Sequence, residues 1–150
     1  MDNSFGSLSH GVVLLPELRT IHLELAKLMD EIDQLVREPI LDEVRLASTR
    51  WKLSQARRQN RLLVDAILAG FPSSLKLQMD EAIISLKVRV NDALCATARH
   101  SGRWNSHAVH DDRDGYRLAI RDLRGLWMEL IDIEQGLLYP LSDPRRAVAA

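Results

Sequence analysis

Apolar residues recur at a helical spacing in four long segments of this chain, and this pattern is the strongest constraint on its fold. Within each segment, large apolar side chains follow one another three or four positions apart, which places them on one face of an α-helix. The stripe of the first segment consists of Leu18, Ile21, Leu25, Leu28, Ile32 and Leu35. No segment shows the alternation with a period of two that is typical of a strand. The pattern therefore predicts an all-α fold.

Prolines and short polar segments indicate where the four helices begin and end. Pro16 suits the first turn of a helix, whereas Pro39 and Pro140 follow the ends of helices. The helices are predicted at about 16–38, 41–69, 74–98 and 112–138, with a polar loop over 101–111. Four helices with mostly short connections favour an antiparallel up-down four-helix bundle. A three-helix domain with a swapped or docked fourth helix is the alternative.

The bundle is predicted to occupy residues 15–141 as a single domain, which suits a chain of 150 residues. Residues 1–14 contain Ser, Gly, Asn and His without periodicity, and we expect a flexible N-terminal lead there. Residues 142–150 are rich in alanine and are expected to form a frayed C-terminal tail.

Composition and charge limit the kinds of partner that the chain is expected to have. The formal net charge is −1, so the overall charge gives no reason to expect a nucleic-acid partner. Cys95 is the single cysteine, which rules out a disulfide framework and fits a reducing compartment. We find neither a membrane-spanning apolar run nor a signal peptide. These observations predict a cytoplasmic protein that binds neither nucleic acid nor membrane.

The second helix carries an apolar stripe with a polar interruption. The stripe consists of Val44, Ala47, Trp51, Leu62 and Ala66. The polar interruption consists of Ser54, Gln55, Arg58 and Gln59. Trp51 is therefore predicted to be a core anchor, with Leu46 and Leu53 exposed. The helix is also basic, which predicts a solvated surface or, as the alternative, a docking face for an acidic partner or nucleic acid.

The sequence also predicts the environment of several single residues in and after the third helix. Cys95 is predicted to be a small core side chain, and Trp104 to cap the bundle or mark a contact surface. His100, His107 and His110 are predicted to lie in a solvated loop, with a surface metal site as the alternative.

The ends of the second and fourth helices echo each other. The segment 59–63, Gln-Asn-Arg-Leu-Leu, aligns with 134–138, Glu-Gln-Gly-Leu-Leu, which continues into Tyr139 and Pro140. Together with His22 in the first helix, these segments resemble the hemerythrin-like (HHE) family over about residues 15–141. Members of that family hold a di-iron centre in a four-helix bundle. Each half of the bundle supplies a His from its first helix and a His-x-x-x-Glu from its second.

The resemblance assigns each family ligand to a position in this chain. The first His corresponds to His22 and the last Glu to Glu134, whereas the third helix has no His to offer. The remaining ligand positions fall on Gln55, Gln59 and Leu130. Because a Gln amide is a poor iron ligand and Leu cannot coordinate, the resemblance implies a family member that has lost its di-iron site. No metal and no cofactor are therefore predicted.

A polar layer inside the bundle is predicted from the same positions. We expect a hydrogen-bonded network of His22, Gln55, Arg58, Gln59 and Glu134. A buried carboxylate has to be paired or protonated, and Arg58 is predicted to be the partner of Glu134.

The predicted function is that of a non-enzymatic regulatory or protein-interaction module with a protein partner or as a homodimer. No glycine-rich phosphate loop, Cys-x-x-Cys pair or supported Ser-His-Asp arrangement indicates an enzyme. Two alternatives remain open. One is a metal- or oxygen-binding protein with unorthodox ligands from His22, Glu81 and Glu134. The other is a small-molecule sensor that uses the polar layer as the floor of a pocket.

Overall fold

A computed structural model describes residues 11–142 of the chain, and that part is helical with no strand. This confirms the predicted all-α class. The elements are α1 (Leu15–Arg37), α2 (Glu43–Ala69), α3 (Ser73–Gln78), α4 (Asp80–Arg103), α5 (Ser106–Asp111), α6 (Arg113–Leu138) and a 3-10 helix (Tyr139–Ser142). Residues 1–10 of the predicted lead and 143–150 of the predicted tail lie outside the described residues, and residues 11–13 are helical.

Side-chain caps explain where several helices begin. Asp42 and Asp112 each accept a hydrogen bond from the backbone N–H three residues later, at the beginning of α2 and α6. Asn105 does the same at 2.8 Å and begins α5. The prediction of a loop over 101–111 is therefore wrong, because α4 continues to Arg103 and a capped helical turn follows.

Side-chain contacts show the directions of the long helices. α1 and α2 form a hairpin in which the Thr49 hydroxyl donates to Glu31 at 3.2 Å. α4 and α6 form a second hairpin, where Trp127 Nε1 donates to Thr97 Oγ1 at 2.9 Å. The two hairpins meet along α1 and α6, and Arg113 at the beginning of α6 donates to backbone carbonyls at the end of α1. α1 and α6 therefore run antiparallel.

The contacts between the two hairpins lie mainly between α1 and α6. α2 reaches α6 through Asn60, whose Nδ2 lies 3.1 Å from Glu134. A cavity lined by α1, α2, α4 and α6 lies in the space between the two hairpins.

The apolar stripes of α1 and α6 face the core. In α1, Leu18 and Leu25 are fully buried, and in α6 the buried residues include Tyr116, Leu123 and Leu130. Leu130 is only 2% exposed, so an apolar side chain fills the position that the resemblance gives to a His ligand.

The stripe predicted in α2 faces away from the core, which corrects the sequence prediction. Trp51 is 65% exposed instead of acting as a core anchor, whereas Leu46 and Leu53, predicted to be exposed, are buried. The buried stripe of α2 is Leu46, Thr49, Leu53, Ala56, Asn60, Leu63, Val64, Ile67 and Leu68. It is offset from the predicted stripe by two residues, which corresponds to a rotation of about 200° around the helix axis.

α4 packs more thinly than the other long helices. Leu86 and Ala93 are its only buried residues, and Cys95 is exposed, contrary to its predicted place in the core. Trp104, just after α4, is buried at the end of the helices, as predicted for a cap. Within residues 11–142, no helix combines the length and the hydrophobicity needed to cross a membrane.

Candidate functional site

Two ionisable side chains meet in the core between α1 and α6. His22 Nε2 lies 2.8 Å from Oε2 of Glu134, and both side chains are almost fully buried. Each residue lies on the apolar face of its own helix, so the packing of the helices brings the two together. A buried carboxylate needs such a partner, because a buried charge that is left alone is strongly destabilising.

Two further residues complete what we call the buried polar group, which consists of His22, Asn60, Glu134 and Tyr139. Asn60 Nδ2 lies 3.1 Å from each carboxylate oxygen of Glu134 and donates to them. The hydroxyl of Tyr139 lies 2.6 Å from Nδ1 of His22. A neutral imidazole with its proton on Nε2 donates to Glu134 and accepts from Tyr139. The four side chains then form one continuous hydrogen-bonded chain.

Tyr139 links the buried polar group to the surface. Its ring is partly exposed, and the guanidinium of Arg19 lies 4.7 Å from the ring centroid. Burial raises the pKa of the Tyr139 hydroxyl above its ordinary value, and the carboxylate of Glu134 acts in the same direction. The phenol therefore stays protonated at neutral pH and can donate to His22.

Three residues predicted to share this layer lie elsewhere. Gln55, Arg58 and Gln59 are all exposed, so the predicted pairing of Arg58 with Glu134 is wrong. The rotation of α2 is the cause, because it turns Asn60 toward Glu134 instead. One feature of the sequence could have indicated that Asn60 is buried, namely its helical spacing from the apolar residues on the buried side of α2.

The donors of the buried polar group do not fit a di-iron centre. Such a centre in a helical bundle takes several carboxylates and histidines from facing helices, whereas this group offers one of each, His22 and Glu134. In the part of the chain that the structure describes, no three His, Cys, Asp or Glu side chains converge on one point. Glu81, which the metal-binding alternative requires, is exposed on α4. One His and one Glu that already bind each other do not supply the ligand set of a pair of iron ions.

The histidines of the α4–α6 connection also lie apart from one another. His107 pairs with Asp111 at 3.2 Å, and His110 lies 3.4 Å from Glu43, all with exposed side chains. His100 lines the cavity between the hairpins and so does not belong to a solvated loop.

The second candidate site is the side of α2 that points away from the core. We call its exposed residues the outer face of α2: Val44, Ala47, Trp51, Gln55, Arg58 and Leu62. They follow one another at a spacing of three or four, and Val44, Trp51 and Leu62 are 82%, 65% and 53% exposed. Apolar side chains aligned on an exposed helix form a surface to which another helix can bind.

Positive charge borders the outer face of α2. Lys52 and Arg58 are exposed and have no carboxylate at ion-pair distance among the described residues. Arg61 contacts Asp65 at 3.9 Å, with both side chains exposed. Exposed ion pairs of this kind are weak, so the face presents a positive border around an apolar centre.

Comparison with family models, with curated proteins and with solved structures found no match to this chain.

Proposed function

We propose that the chain is a non-enzymatic, hemerythrin-like four-helix bundle without a di-iron site, and that it works as a protein-interaction module in the cytoplasm. The observation that carries this proposal is the outer face of α2. A tryptophan and two aliphatic side chains are exposed along one side of a helix whose opposite side is already buried. Their alignment favours a contact surface over scattered exposure.

The hemerythrin-like part of the proposal is supported by His22 and Glu134. The resemblance gives these residues to the first and last ligand helices, and their side chains lie 2.8 Å apart in the core. Tyr139, from the Leu-Tyr-Pro segment after Glu134, contacts the same His22. The antiparallel contacts of α1 with α6 agree with the direction that a bundle of two helical hairpins requires.

The partner that fits this surface best is an amphipathic helix with acidic residues beside its apolar stripe. Trp and Arg are the residue types that most often dominate the affinity of an interface, and the outer face of α2 offers Trp51 and Arg58. Lys52 and Arg61 would attract carboxylates along the border. A second copy of this chain would instead bring positive borders together, which disfavours a homodimer through this face.

Site-specific photocrosslinking in cells tests the proposed surface. A benzophenone amino acid replaces Trp51 in one variant and Arg89, on the exposed side of α4, in a matched control. We expect the probe at position 51, and not the one at 89, to crosslink an acidic helical segment of one protein. Adding Arg58→Glu should abolish that product. Equal products from both positions, or crosslinks only to a second copy, would contradict the proposed partner.

The proposed absence of a di-iron site is tested by elemental analysis of the protein after growth in iron-supplemented medium. We expect iron well below one ion per chain, because His22 and Glu134 are already bonded to each other and to Asn60. A full di-iron complement would overturn the proposal and restore oxygen or redox chemistry.

A further inference from the structure

A cavity of about 310 Å³ lies among the four long helices, where α4 ends and α6 begins. Met29 and Ile32 of α1, Leu53 of α2 and Ile120 of α6 give it apolar walls. Its volume falls at the lower end of the range for small-molecule sites, and apolar walls with a few polar groups are typical of such sites.

The polar groups of the cavity are mainly cationic. Arg37 at its edge is already paired with Asp33 at 3.0 Å. Arg50 and Arg57, both from α2, have no carboxylate partner among the described residues. Arg50 donates to the backbone carbonyl of Trp104 at 2.6 Å, and the rest of its guanidinium remains available. Arg121, an exposed residue that also lines the cavity, has no carboxylate at ion-pair distance among the described residues either. Arg50 and Arg57 are the more buried of these three unpaired guanidinium groups.

Arg57 is the less satisfied of the two. Its guanidinium lies 4.9 Å from the ring centroid of Trp127, and its Nε–H is buried with no acceptor within residues 11–142. Burial lowers the pKa of Arg57 to about 10, which leaves the group charged at neutral pH. A buried, charged donor without an acceptor is unusual in a native protein and indicates a missing hydrogen-bond partner.

His100 and Tyr116 line the cavity beside Arg50 and Arg57. The two rings stack with their centroids 5.6 Å apart. Burial, together with the charges of Arg50 and Arg57, lowers the pKa of His100 to about 4, so the imidazole is neutral at physiological pH. Burial raises the pKa of Tyr116, which keeps its hydroxyl protonated as a donor. Arg50, Arg57, His100 and Tyr116 can each donate a hydrogen bond to an anion. Asp33, the carboxylate that lines the same cavity, is held by Arg37.

We propose that this cavity binds a small organic carboxylate, whose charged group is held by Arg50 and Arg57 and whose apolar body packs between α1 and α6. A planar carboxylate matches the forked geometry of guanidinium groups. An inorganic anion of similar charge would leave the apolar walls without contact, so a carboxylic acid with an aromatic or branched aliphatic body fits better. This site is separate from the outer face of α2 and does not depend on the proposed partner.

A purely structural role of Arg57 is the competing explanation. In that case the guanidinium would serve only to cover Trp127, and removing its charge would leave the affinity for carboxylates unchanged. The two explanations therefore differ in what they predict for ligand binding and not only for stability.

Calorimetric titration of the full chain tests the proposal without any substitution. The probes are benzoate, 3-phenylpropionate, 4-methylpentanoate, the neutral 3-phenylpropionamide and inorganic phosphate. We expect at least one carboxylate to bind saturably, and the amide and phosphate to bind at least about tenfold more weakly, the loss typical of one missing charged contact. Absence of binding by all three acids would overturn the proposal. So would an amide that binds as tightly as its acid, or phosphate that binds more tightly than every acid.

Matched variants locate the site. Arg57→Met and Arg50→Met remove the charges while keeping side chains of similar length, and exposed Arg89→Met on α4 is the control. We expect each of the first two to weaken carboxylate binding at least about tenfold and the control to leave it unchanged. In the wild-type chain, the Arg57 Nε–H resonance should shift when the acid is added. Binding that survives in both Arg57→Met and Arg50→Met would place the ligand elsewhere and contradict the proposal.

Discussion

Glu134 is the residue on which the buried polar group depends. One of its oxygens accepts from His22 and Asn60, and the other accepts from Asn60. His22 and Glu134 could be predicted together, because the resemblance to the hemerythrin-like family gives both of them to ligand positions. Asn60 and Tyr139 were not predicted as members, since their roles follow from the rotation of α2 and from the turn after α6.

Removing the carboxylate should therefore be more damaging than neutralising it. We expect Glu134→Ala to lower the free energy of unfolding by about 3–5 kcal/mol, because buried His22 and Asn60 lose their partner. Glu134→Gln keeps a hydrogen-bonding side chain and should cost about 1–3 kcal/mol. Denaturant unfolding at neutral pH measures both. Exposed Glu129→Ala on α6 is the control, and a similar small effect for Glu129→Ala and Glu134→Ala would contradict the structure.

His100 should make the fold sensitive to mild acid. Its pKa is about 4 in the folded chain against 6.5 for the free side chain, so the unfolded chain takes up this proton first as the pH falls. The contribution of His100 to the free energy of unfolding is therefore fully present above about pH 6.5 and is lost progressively toward pH 4. When the pH is lowered from 7.5 to 5.0, the melting temperature of His100→Asn should fall less than that of the wild type. His107→Asn, at the surface, should follow the wild type, and identical curves for all three proteins would contradict this assignment.

Among the elements, α2 shows why the buried face of some helices could be predicted from the sequence and that of another could not. α1 and α6 each have a single apolar face, so the stripe that contains Leu25 and the stripe that contains Leu123 have one orientation only. α2 has apolar residues on two opposite faces, one centred on Leu53 and the other on Trp51. Spacing alone cannot choose between them, because both stripes have the same helical period.

The orientation of α2 has a direct test in stability. Leu53→Ala should lower the free energy of unfolding by about 2–5 kcal/mol, because it removes buried side-chain volume. Trp51→Ala should change it by about 0.5 kcal/mol or less, since the indole is mostly exposed. Thermal or denaturant unfolding of the two variants provides the comparison. A larger loss from Trp51→Ala would mean that the sequence prediction for this helix was right and the structure wrong.

The molecule as a whole is unevenly packed. α1 contacts both α2 and α6, whereas α4 rests mainly on α6 and buries only Leu86 and Ala93. The cavity beside α4 could not be predicted, because Arg50, His100 and Tyr116 come from three different helices. Helical spacing shows which residues share a face of one helix, but not which faces of separate helices enclose a space.

This uneven packing should be visible in hydrogen exchange. Amides in the middle of α4 should exchange faster than those in the middle of α1, because fewer buried contacts oppose local opening of α4. Exchange measured by mass spectrometry at neutral pH separates the two helices. Equal protection of both would show that α4 is held more firmly than its two buried residues suggest.

The two apolar stripes of α2 also mean that the chain has a plausible wrong fold. If the helix turned by half a revolution, Trp51 and Leu62 would enter the core in place of Leu53 and Leu63. Arg58 would be buried with them, so hydrophobicity would oppose this rotation. Glu134 would also oppose it, because it would lose the amide of Asn60 on which its burial relies. The polar contact thus discriminates between competing packings. A substitution that made the inner stripe fully apolar would bury more apolar surface, but it would remove the polar contact that distinguishes the two packings of α2.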